Sequence, residues 1–386
     1  MHHCRGAVIH VTTVHRRDDA RIQGKECDFL ADTLTASCSL LVADGLGDDL
    51  PEGRGLQITD VGSLPGSRLS RVAIGNWRMF RAIRRLRPTL IHFHDPELML
   101  MGFTLSLLGH KVVYDIHEDV PRQILAKPWL LRLVRRPIAS LVAGLEWAAG
   151  RLLTGVVAAT PPIARRFPAE KTVVVQNFPI LSELVPTVAR YYGRRPQDFV
   201  YVGAIESIRG AREMVRALSR MPDLSGARLQ LGGVICPQAL EAGLRAEPGW
   251  SRVVFHGWAG RAQVANLLGG ARAGLVVLHP VGGYPDAYPV KMFEYMACGL
   301  PVIASDFPLW RQIIEDASCG LLVDPMDPDA IASAMQWVLA HQEEAEAMGE
   351  RGRIAVQEKY NWETESVKLL DLYRRLLPKP MNRHSE

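Results

Sequence analysis

The chain has 386 residues, of which 48% are hydrophobic and 22% are charged. This is the composition of a globular protein of about two domains, and it excludes collagen-like and disordered chains. No window of about 18 residues lacks a charge and no long apolar segment opens the sequence, so we expect neither a membrane-spanning helix nor a signal peptide. The six cysteines have no paired spacing, which indicates a reducing compartment, and we expect a cytoplasmic protein.

The net charge of +4 is unevenly distributed along the chain. Residues 1–180 contain 23 Lys and Arg against 17 Asp and Glu, a net +6, whereas the remaining residues contain 22 against 24, a net −2. Segment 68–87 contains seven arginines and no acid. This segment is either the solvated face of a helix or a surface for anionic lipid headgroups or a phosphorylated acceptor.

A second basic segment, 127–136, combines Arg132, Arg135 and Arg136 with apolar residues that include Trp129. It either lies against an anionic membrane surface or packs into the N-terminal core. Neither basic segment belongs to a recognisable nucleic-acid-binding module, so we expect no nucleic-acid partner.

Short apolar runs alternate with amphipathic stretches along most of the chain, which is the pattern of a parallel α/β architecture. A proline-bearing stretch without periodicity, 179–197, separates two similar halves and predicts an interdomain linker. Such sheets bind ligands at the carboxyl ends of their strands, so two facing halves would enclose a cleft. Strands are predicted at 7–11, 39–42, 90–93, 111–114, 155–158, 172–175, 199–202, 228–231, 253–255, 274–278, 301–304 and 320–323. Helices are predicted at 22–34, 72–86, 98–108, 130–153, 211–220, 237–246, 262–268, 290–297, 309–316, 329–340 and 362–377.

Several common functional motifs are absent from the sequence. No strand is followed by G-x-G-x-x-G, and neither G-x-x-x-x-G-K-[ST] nor G-x-S-x-G occurs, so a dinucleotide site, a P-loop and a hydrolase elbow are not supported. Asp327-Pro328-Asp329 has the form of a D-x-D metal motif. Its context instead favours a helix start, with Asp327 as N-cap and Pro328 in the first helical position.

The most informative segment is 282–306, which follows a predicted strand. Pro289 is placed to begin a helix, and Lys291 and Glu294 then lie one turn apart. This pair could be an ordinary surface ion pair. However, a helix N-terminus with an adjacent lysine is an anion site, and a carboxylate one turn later can accept hydrogen bonds from two ribose hydroxyls. The combination predicts a nucleotide-diphosphate site.

These residues resemble the retaining glycosyltransferases of family 4. That family carries two acids eight residues apart followed by A-M-A-C/A-G-x-P-V-I-A, which here correspond to Asp286, Glu294 and Tyr-Met-Ala-Cys-Gly-Leu-Pro-Val-Ile-Ala. The resemblance implies that Glu294 holds the donor ribose, and that Asp286 with the amides of Ala287 and Tyr288 contacts the donor sugar.

The resemblance also implies the GT-B fold, an α/β fold of two facing Rossmann-like domains with an interdomain cleft. The N-terminal, acceptor-side domain would span 1–178 and the linker 179–197. The nucleotide-sugar-binding domain would span 198–360, and a C-terminal helix in 361–386 would return to the N-terminal domain.

Other segments resemble the same family in the same order. Arg209 matches the second of two basic residues on the donor diphosphate; the first position is Ala204, so Lys291 would supply the missing charge. Val254-Phe-His-Gly-Trp, with Gly257 and Trp258, matches the segment that borders the base.

In the N-terminal half, Val112-Val-Tyr-Asp-Ile-His-Glu-Asp resembles the strand end that presents an active-site histidine, here His117. The opening segment 14–26 resembles a bacterial cell-surface polysaccharide subgroup and places His15 and Arg21 on the acceptor side. His94 and Asp95 are further acceptor-side candidates, although a purely structural histidine is the alternative at His94.

The function implied by the resemblance is a metal-independent, retaining hexosyltransferase with His117, Asp286 and Glu294 as catalytic residues. It would use a nucleotide-diphosphate sugar and a glycan or lipid-linked acceptor in bacterial exopolysaccharide or lipopolysaccharide synthesis, without a cofactor or metal. A peripheral location on the inner face of the cytoplasmic membrane is a further expectation. Two alternatives stay open: a nucleotide-sugar 2-epimerase of the same fold, and a catalytically idle partner subunit that binds sugar nucleotide.

Overall fold

We describe the fold from a computed structural model, which covers residues 7–34, 36–51, 55–127, 130–186, 191–222 and 226–377. The chain divides into two compact units. The first consists of Met1–Asn177 together with Glu363–Glu386, and the second of Phe178–Trp362.

The first unit contains a seven-stranded parallel sheet in the order β3-β2-β1-β4-β5-β6-β7. Its strands are β1 Val8–Val11, β2 Cys38–Val42, β3 Leu56–Asp60, β4 Leu90–Phe93, β5 Lys111–Ile116, β6 Gly155–Ala158 and β7 Thr172–Val174. Its helices are α1 Asp28–Thr33, α2 Arg68–Leu86, α3 Met99–Leu107, α4 Val120–Ala126, α5 Arg132–Leu152, α6 Pro161–Ala164 and, apart from its first residue, α14 Trp362–Leu376.

The central strands of this sheet are buried on both faces, as their nearly continuous apolar sequences require. His10, His92 and Asp115 depart from this apolar pattern although all three are fully buried. The register pairs His10 with His92 on the neighbouring strands β1 and β4. Tyr373 of α14 is also fully buried against these two histidines. The sheet therefore has a polar patch inside an otherwise apolar core.

The second unit contains a six-stranded parallel sheet in the order β10-β9-β8-β11-β12-β13. The strand order reverses between β8 and β11, which is where open α/β sheets bind ligands. Its strands are β8 Asp198–Val202, β9 Arg228–Gly232, β10 Val253–Gly257, β11 Ala273–Val276, β12 Val302–Ser305 and β13 Gly320–Val323. Its helices are α7 Ala211–Arg220, α8 Ala239–Arg245, α9 Arg261–Gly270, α10 Val290–Ala297, α11 Pro308–Ala317, α12 Pro328–Ala340 and α13 Gln342–Glu358.

The predicted parallel α/β architecture is confirmed, with several local differences, among them the short helices α4 and α6, which the sequence did not predict. β3 was missed because Gln57 and Thr59 interrupt its apolar run, and α13 was missed because its sequence is rich in glutamate. The described part of the predicted linker 179–197 packs onto the second unit: Leu184 and Tyr192 are buried, and the Tyr192 hydroxyl donates to the Arg272 carbonyl. Residues 187–190 lie outside the described residues.

The helix start predicted at Asp327 is confirmed. The Asp327 side chain accepts a hydrogen bond from the Asp329 amide at 2.9 Å, and Pro328 is the first residue of α12. Within the described part of the chain, no helix combines the length and the apolar character needed to cross a bilayer.

Candidate active site

The segment singled out in the sequence lies between β11 and α10 of the second unit. A 3₁₀ turn, Tyr284–Asp286, leads to Pro289 at the N-cap of α10. Lys291 and Glu294, one turn apart on α10, are both buried. A cation and a carboxylate at the beginning of one helix are therefore withdrawn from bulk water, and each is held by a specific partner.

The partner of Lys291 is Tyr201 of β8. The Lys291 Nζ donates to the Tyr201 hydroxyl at 2.8 Å and lies 3.9 Å from the centre of its ring. Burial, and then the nearby charge of Arg209, lowers the pKa of Lys291 to about 7. The sequence did not indicate Tyr201, because a tyrosine inside a strand is an ordinary core residue.

The partner of Glu294 is Arg261, the first residue of α9. Its Nη1 donates to Glu294 Oε1 at 2.8 Å and its Nε to Glu183 Oε2 at 2.9 Å. The carboxylate predicted for the ribose is therefore already oriented by an arginine, which uses one of its two oxygens. No motif in the sequence pointed to Arg261.

Arg209 ends a 3₁₀ turn that leads through Gly210 into α7. Its Nε donates to Glu206 at 3.1 Å, and its side chain stays partly exposed. Gly210 has φ +74°, and a Cβ at this position would lie 2.1 Å from the Val277 carbonyl oxygen. Only glycine fits, so the approach of this turn to the end of β11 is fixed by sequence.

The loop residues predicted to contact the donor sugar are held in place by aromatic side chains of neighbouring segments. The Ala287 carbonyl accepts a hydrogen bond from Trp310 Nε1 at 2.8 Å, and Tyr288 packs against Phe178. Asp286 ends the 3₁₀ turn just before them. Trp310 is a supporting residue that the sequence did not reveal.

Gly257 and Trp258, predicted to border the base, lie at the end of the edge strand β10. Gly257 has φ +65°, and its carbonyl accepts from the Gly233 amide at 2.6 Å. Trp258 is 76% exposed. Gly257 and Trp258 lie at the carboxyl end of β10, and the turn that carries Arg209 follows the carboxyl end of β8. β10 lies two strands from β8 in this parallel sheet, so both segments are on its carboxyl-terminal side.

In the first unit, His117 follows β5 and is held by Asp115. The His117 Nε2 lies 3.0 Å from Asp115 Oδ2, and the His94 Nδ1 lies 3.2 Å from the same oxygen. Burial opposes the charge of Asp115, but Arg21 and His117 outweigh it and hold its pKa well below the usual range. An ionised Asp115 accepts from both rings, so when the His117 ring is neutral its other nitrogen, Nδ1, is the acceptor.

The same carboxylate fixes a chain of hydrogen bonds through the core. Because His94 Nδ1 donates to Asp115, its Nε2 accepts from His10 Nδ1 at 2.9 Å. His10 Nε2 then accepts from the Tyr373 hydroxyl at 2.9 Å, and that hydroxyl accepts from His92 Nδ1 at 2.5 Å. Burial lowers the pKa of His10, His92 and His94, so all three rings are neutral and each has one assigned tautomer. His94 is therefore a core residue with a structural role.

Arg21, predicted on the acceptor side, is buried in the same cluster. It donates to Asp115 at 3.0 Å and to the Val175 carbonyl at 3.0 Å, and it lies 3.1 Å from Glu26. Its guanidinium is bonded to Asp115 and does not reach the surface. Burial and the nearby charge of Asp115 raise the pKa of Glu26 well above its usual range. The ligand atoms of Glu26, His92, His94 and Asp115 lie within 4.8 Å of one another and could geometrically surround one ion. The Arg21 guanidinium already occupies this cluster, 3.0 Å from Asp115 and 3.1 Å from Glu26.

Asp95 organises the loop after β1. It accepts from the Val14 amide at 3.1 Å and from the Thr12 hydroxyl at 3.0 Å, and it lies 2.9 Å from His15 Nδ1. The hydrogen bond to Asp95 raises the pKa of His15. Asp95 is buried and His15 partly exposed, so of these two predicted residues His15 is the one that a ligand could reach.

Two family models match the chain in the order of the two units. "Glycosyl transferase 4-like domain" matches residues 5–178, and "Glycosyl transferases group 1" matches residues 196–341. The chain belongs to the family-4-like glycosyltransferases. The family predicted from Asp286, Glu294 and the residues that follow them is confirmed.

Curated relatives are distant. O-antigen chain mannosyltransferase B of Escherichia coli is 26% identical over 204 residues, which cover 50% of each chain. Phosphatidyl-myo-inositol mannosyltransferase of Mycobacterium leprae is 22% identical over 74% of this chain and 72% of its own. The aligned region spans about half the length of the first curated relatives.

Solved structures share the fold over nearly the whole chain. Sucrose-phosphate synthase from Thermosynechococcus elongatus superposes with a TM-score of 0.75 at 19% identity, covering 96% of this chain and 99% of its own. Anabaena HepE, in complex with UDP and glucose, superposes with a TM-score of 0.72 at 14% identity, covering 96% and 100%. The predicted GT-B fold of two Rossmann-like domains is confirmed.

Proposed function

We propose that this glycosyltransferase transfers a hexose, with retention and without a metal, from a nucleotide-diphosphate sugar to a glycan or lipid-linked acceptor in bacterial cell-surface polysaccharide synthesis. The observation that carries the proposal is the group of Arg209, Lys291 and Glu294 around the start of α10. Two cations and an oriented carboxylate at a helix N-terminus suit a nucleotide diphosphate. The UDP and glucose bound to HepE and the O-antigen role named for the E. coli relative support the donor and acceptor classes.

In the proposed reaction, the second unit binds the donor. Glu294 accepts hydrogen bonds from the ribose hydroxyls, while Asp286 and the amides of Ala287 and Tyr288 contact the sugar. Arg209 and Lys291 stabilise the negative charge that develops on the diphosphate as the glycosidic bond breaks. This assigns to side chains the charge stabilisation that a divalent cation supplies in other transferases.

The first unit supplies His117. With Nε2–H donated to Asp115, the remaining lone pair of Nδ1 can accept a hydrogen bond from a sugar hydroxyl. His117 thus orients the donor sugar and is not a nucleophile. Attack by the acceptor on the face that the diphosphate leaves gives retention without a covalent enzyme intermediate.

The proposed location is the surface of an anionic membrane, reached through α5 and the residues before it. Leu133 is 90% exposed and Leu131 76% exposed, which contradicts the alternative that this segment packs into the core. Arg132 lies between these leucines and Arg136 follows them, and both arginines are exposed. Exposed leucines next to arginines suit the interface of an anionic bilayer. Trp129, also expected in this surface, lies outside the described residues.

Segment 68–87 contributes fewer free charges than its sequence suggests. Arg71 pairs with Glu97 at 2.6 Å, and Arg78 donates to the backbone carbonyls of Val61, Gly62 and Ser63. Among the arginines of α2 and its C-cap whose side chains are described, the exposed ones are Arg81, Arg84, Arg85 and Arg87, and the Arg68 side chain lies outside the described part. These four are the candidates for contact with lipid headgroups.

The test is nucleotide release from a panel of nucleotide-diphosphate sugars, with and without lipid-linked glycan acceptors, followed by determination of the product's anomeric configuration. We expect acceptor-dependent release, a retained anomer and little effect of EDTA. Arg209→Ala should lower turnover by a factor on the order of 100, whereas Arg216→Ala, which removes a surface arginine paired with Glu247, should not.

Each rival gives a different result. Epimerised donor without acceptor would indicate the 2-epimerase, and donor binding without turnover would indicate an idle partner subunit. Activity abolished by EDTA and restored by Mg²⁺ or Mn²⁺ would refute the metal-free mechanism.

A further inference from the structure

The Tyr201 hydroxyl occupies an unusual position in the second unit, because it joins three elements. It accepts from Lys291 Nζ on α10 at 2.8 Å and donates to the Ala204 carbonyl at 2.7 Å, while its own backbone belongs to β8. Tyr201 is fully buried, so this hydroxyl has no bulk water with which to exchange these bonds. The hydroxyl therefore ties the helix that bears the lysine to the loop that leads to Arg209.

The backbone of that loop makes room for the lysine. Gly203 has φ +133°, and a Cβ there would lie 3.1 Å from Lys291 Nζ. The conformation and the contact both favour glycine, so the Lys291 ammonium can lie directly beside the peptide groups after β8. Without the Tyr201 hydroxyl, the long lysine side chain would have no fixed acceptor at this point.

The charged groups that face Lys291 come from the same loop and from its own helix. They are Arg209 and Glu206 after β8, and Glu294 on α10. Glu206 is paired with Arg209 and Glu294 with Arg261. Each acid is thus partly compensated by an arginine, which leaves Lys291 only weakly neutralised.

We propose that Tyr201 is a positioning residue that holds the Lys291 amine beside the Gly203–Ala204 backbone, ready to take up a proton when a nucleoside diphosphate binds next to it. This inference rests on the proposed function, because it assumes that Lys291 meets the diphosphate. Before binding, burial keeps the pKa of Lys291 at about 7. A bound polyanion favours the charged form and raises that pKa, so binding is coupled to proton uptake near neutral pH.

Because proton uptake and diphosphate binding are thermodynamically linked, the direction in which the binding affinity changes with pH can be stated. Below pH 7 the lysine is already charged and binding takes up few protons. Above pH 7 the Lys291 amine is mostly neutral and must take up a proton when the diphosphate binds. The affinity of the protein for the diphosphate therefore falls as the pH rises. A nucleoside without phosphates can bind without protonation of Lys291, so the affinity of the protein for it should not depend on pH in this range.

The experiment is calorimetric titration of the full-length protein with UDP and GDP, at pH 7, in two buffers of different ionisation enthalpy. For the wild type we expect an uptake of about half a proton per UDP bound, since the pKa of Lys291 in the unliganded protein is about 7. Lys291→Met should bind about tenfold or more weakly and show no uptake. Tyr201→Phe should weaken UDP binding by a similar factor while leaving uridine binding unchanged.

The matched control is Tyr295→Phe. Tyr295 is equally buried and its hydroxyl accepts from the Val202 amide at 3.1 Å, next to the same loop but not on the lysine. This variant should keep both UDP affinity and proton uptake. In the Lys291→Met background, Tyr201→Phe should have no further effect on UDP binding, because the two residues act as one unit.

The outcomes separate this inference from the function on which it rests. If neither UDP nor GDP binds the wild type, the proposed donor site is wrong and the inference falls with it. If binding is normal but shows no proton uptake, or if Tyr201→Phe behaves like Tyr295→Phe or adds to Lys291→Met, the inference alone is overturned. Should Tyr201→Phe fail to fold, the comparison of wild type with Lys291→Met still tests the proton uptake that the inference requires, and equal uptake in the two proteins overturns it.

Discussion

The two units share a parallel α/β architecture but use buried polar groups in different ways. In the first unit, the buried histidines, Asp115, Arg21 and Tyr373 are largely bonded to one another. In the second unit, Arg209 remains partly exposed, and Lys291 is buried but only weakly neutralised.

The difference concerns what each set of residues stabilises. A network of buried groups that are mostly bonded to one another stabilises the fold and fixes one conformation, and removal of a member leaves others unsatisfied. Among the described residues of this cluster, only the two Glu26 oxygens and His92 Nε2 have no hydrogen-bond partner. Cations without full compensation contribute little to folding but are ready to meet an anion. We therefore expect conservative substitutions in the first unit to change stability, and those in the second unit to change ligand binding.

The largest effect should follow from Asp115→Asn. Breaking a buried ion pair leaves Arg21 poorly compensated, which typically costs about 3–5 kcal/mol. Hydrogen exchange of the β1, β4 and β5 amides should show this loss in the first unit, with little change in β8 and β12. Glu97→Gln is the control, because it removes a partly exposed partner of Arg71 in the same unit and should cost about 0–1 kcal/mol. Equal effects of the two variants would contradict the interpretation of a closed network.

The next effect is on donor binding by Glu294→Gln. The loss of a hydrogen bond to a charged group should weaken binding of a nucleotide-diphosphate sugar by about 1.5–3 kcal/mol, measured by calorimetry, without destabilising the second unit comparably. The control is Glu183→Gln, which removes the other carboxylate on Arg261. If both variants weaken binding equally, the effect passes through Arg261 and Glu294 does not contact the ribose.

Tyr373→Phe tests the comparison with the smallest chemical change. It removes one hydroxyl and leaves His10 Nε2 and His92 Nδ1 without their shared partner, at a cost of about 1–3 kcal/mol for unsatisfied buried groups. Exchange of the α14 and β1 amides should accelerate, while UDP affinity stays unchanged. Tyr201→Phe also leaves buried partners unsatisfied, but it should differ by weakening UDP binding. Weakened UDP binding in Tyr373→Phe would mean that the two units do not divide stability and binding in this way.

Much of the fold could be predicted from the sequence, because β strands such as β6 and β13 are continuous apolar runs between loop signals. The start of α10 could also be predicted, since Pro289 and the spacing of Lys291 and Glu294 are local features. The partners of these residues could not. Tyr201 and Arg261 meet α10 only after β8 and α9 are packed beside it, and nothing in the local sequence records that packing.

The N-terminal histidines illustrate the same limit. The sequence left open a structural histidine at His94, but it did not predict that His10 and His92 lie beside it. The register of β1 against β4 produces that contact, and Tyr373 enters from a helix 281 residues away in sequence from His92. Non-local pairing of this kind has no signal in a single sequence, which is why Arg21 was assigned to the acceptor and not to the core.

The smallest expected effect is on membrane binding, through the exposed residues before and within α5. Here the comparison passes from the buried charges of the two units to exposed ones. Arg135 donates to the Leu130 carbonyl at 2.9 Å and is partly used by the fold, so the sharper variant replaces only Arg132 and Arg136 with Gln. Each basic residue contributes about 1 kcal/mol near an anionic surface, so co-sedimentation with anionic vesicles should weaken severalfold or more. In high salt the loss should be smaller because the charges are screened.

Leu133→Asp should weaken co-sedimentation as well, because the exposed leucine would no longer enter the interface. Arg84→Gln with Arg85→Gln tests whether α2 belongs to the same surface: a loss comparable to that of the α5 variant would extend the surface to both helices. Donor affinity should be unchanged in all three variants. Equal binding to neutral and anionic vesicles, or binding to neither, would exclude the membrane contact and leave the exposed leucines without a role in location.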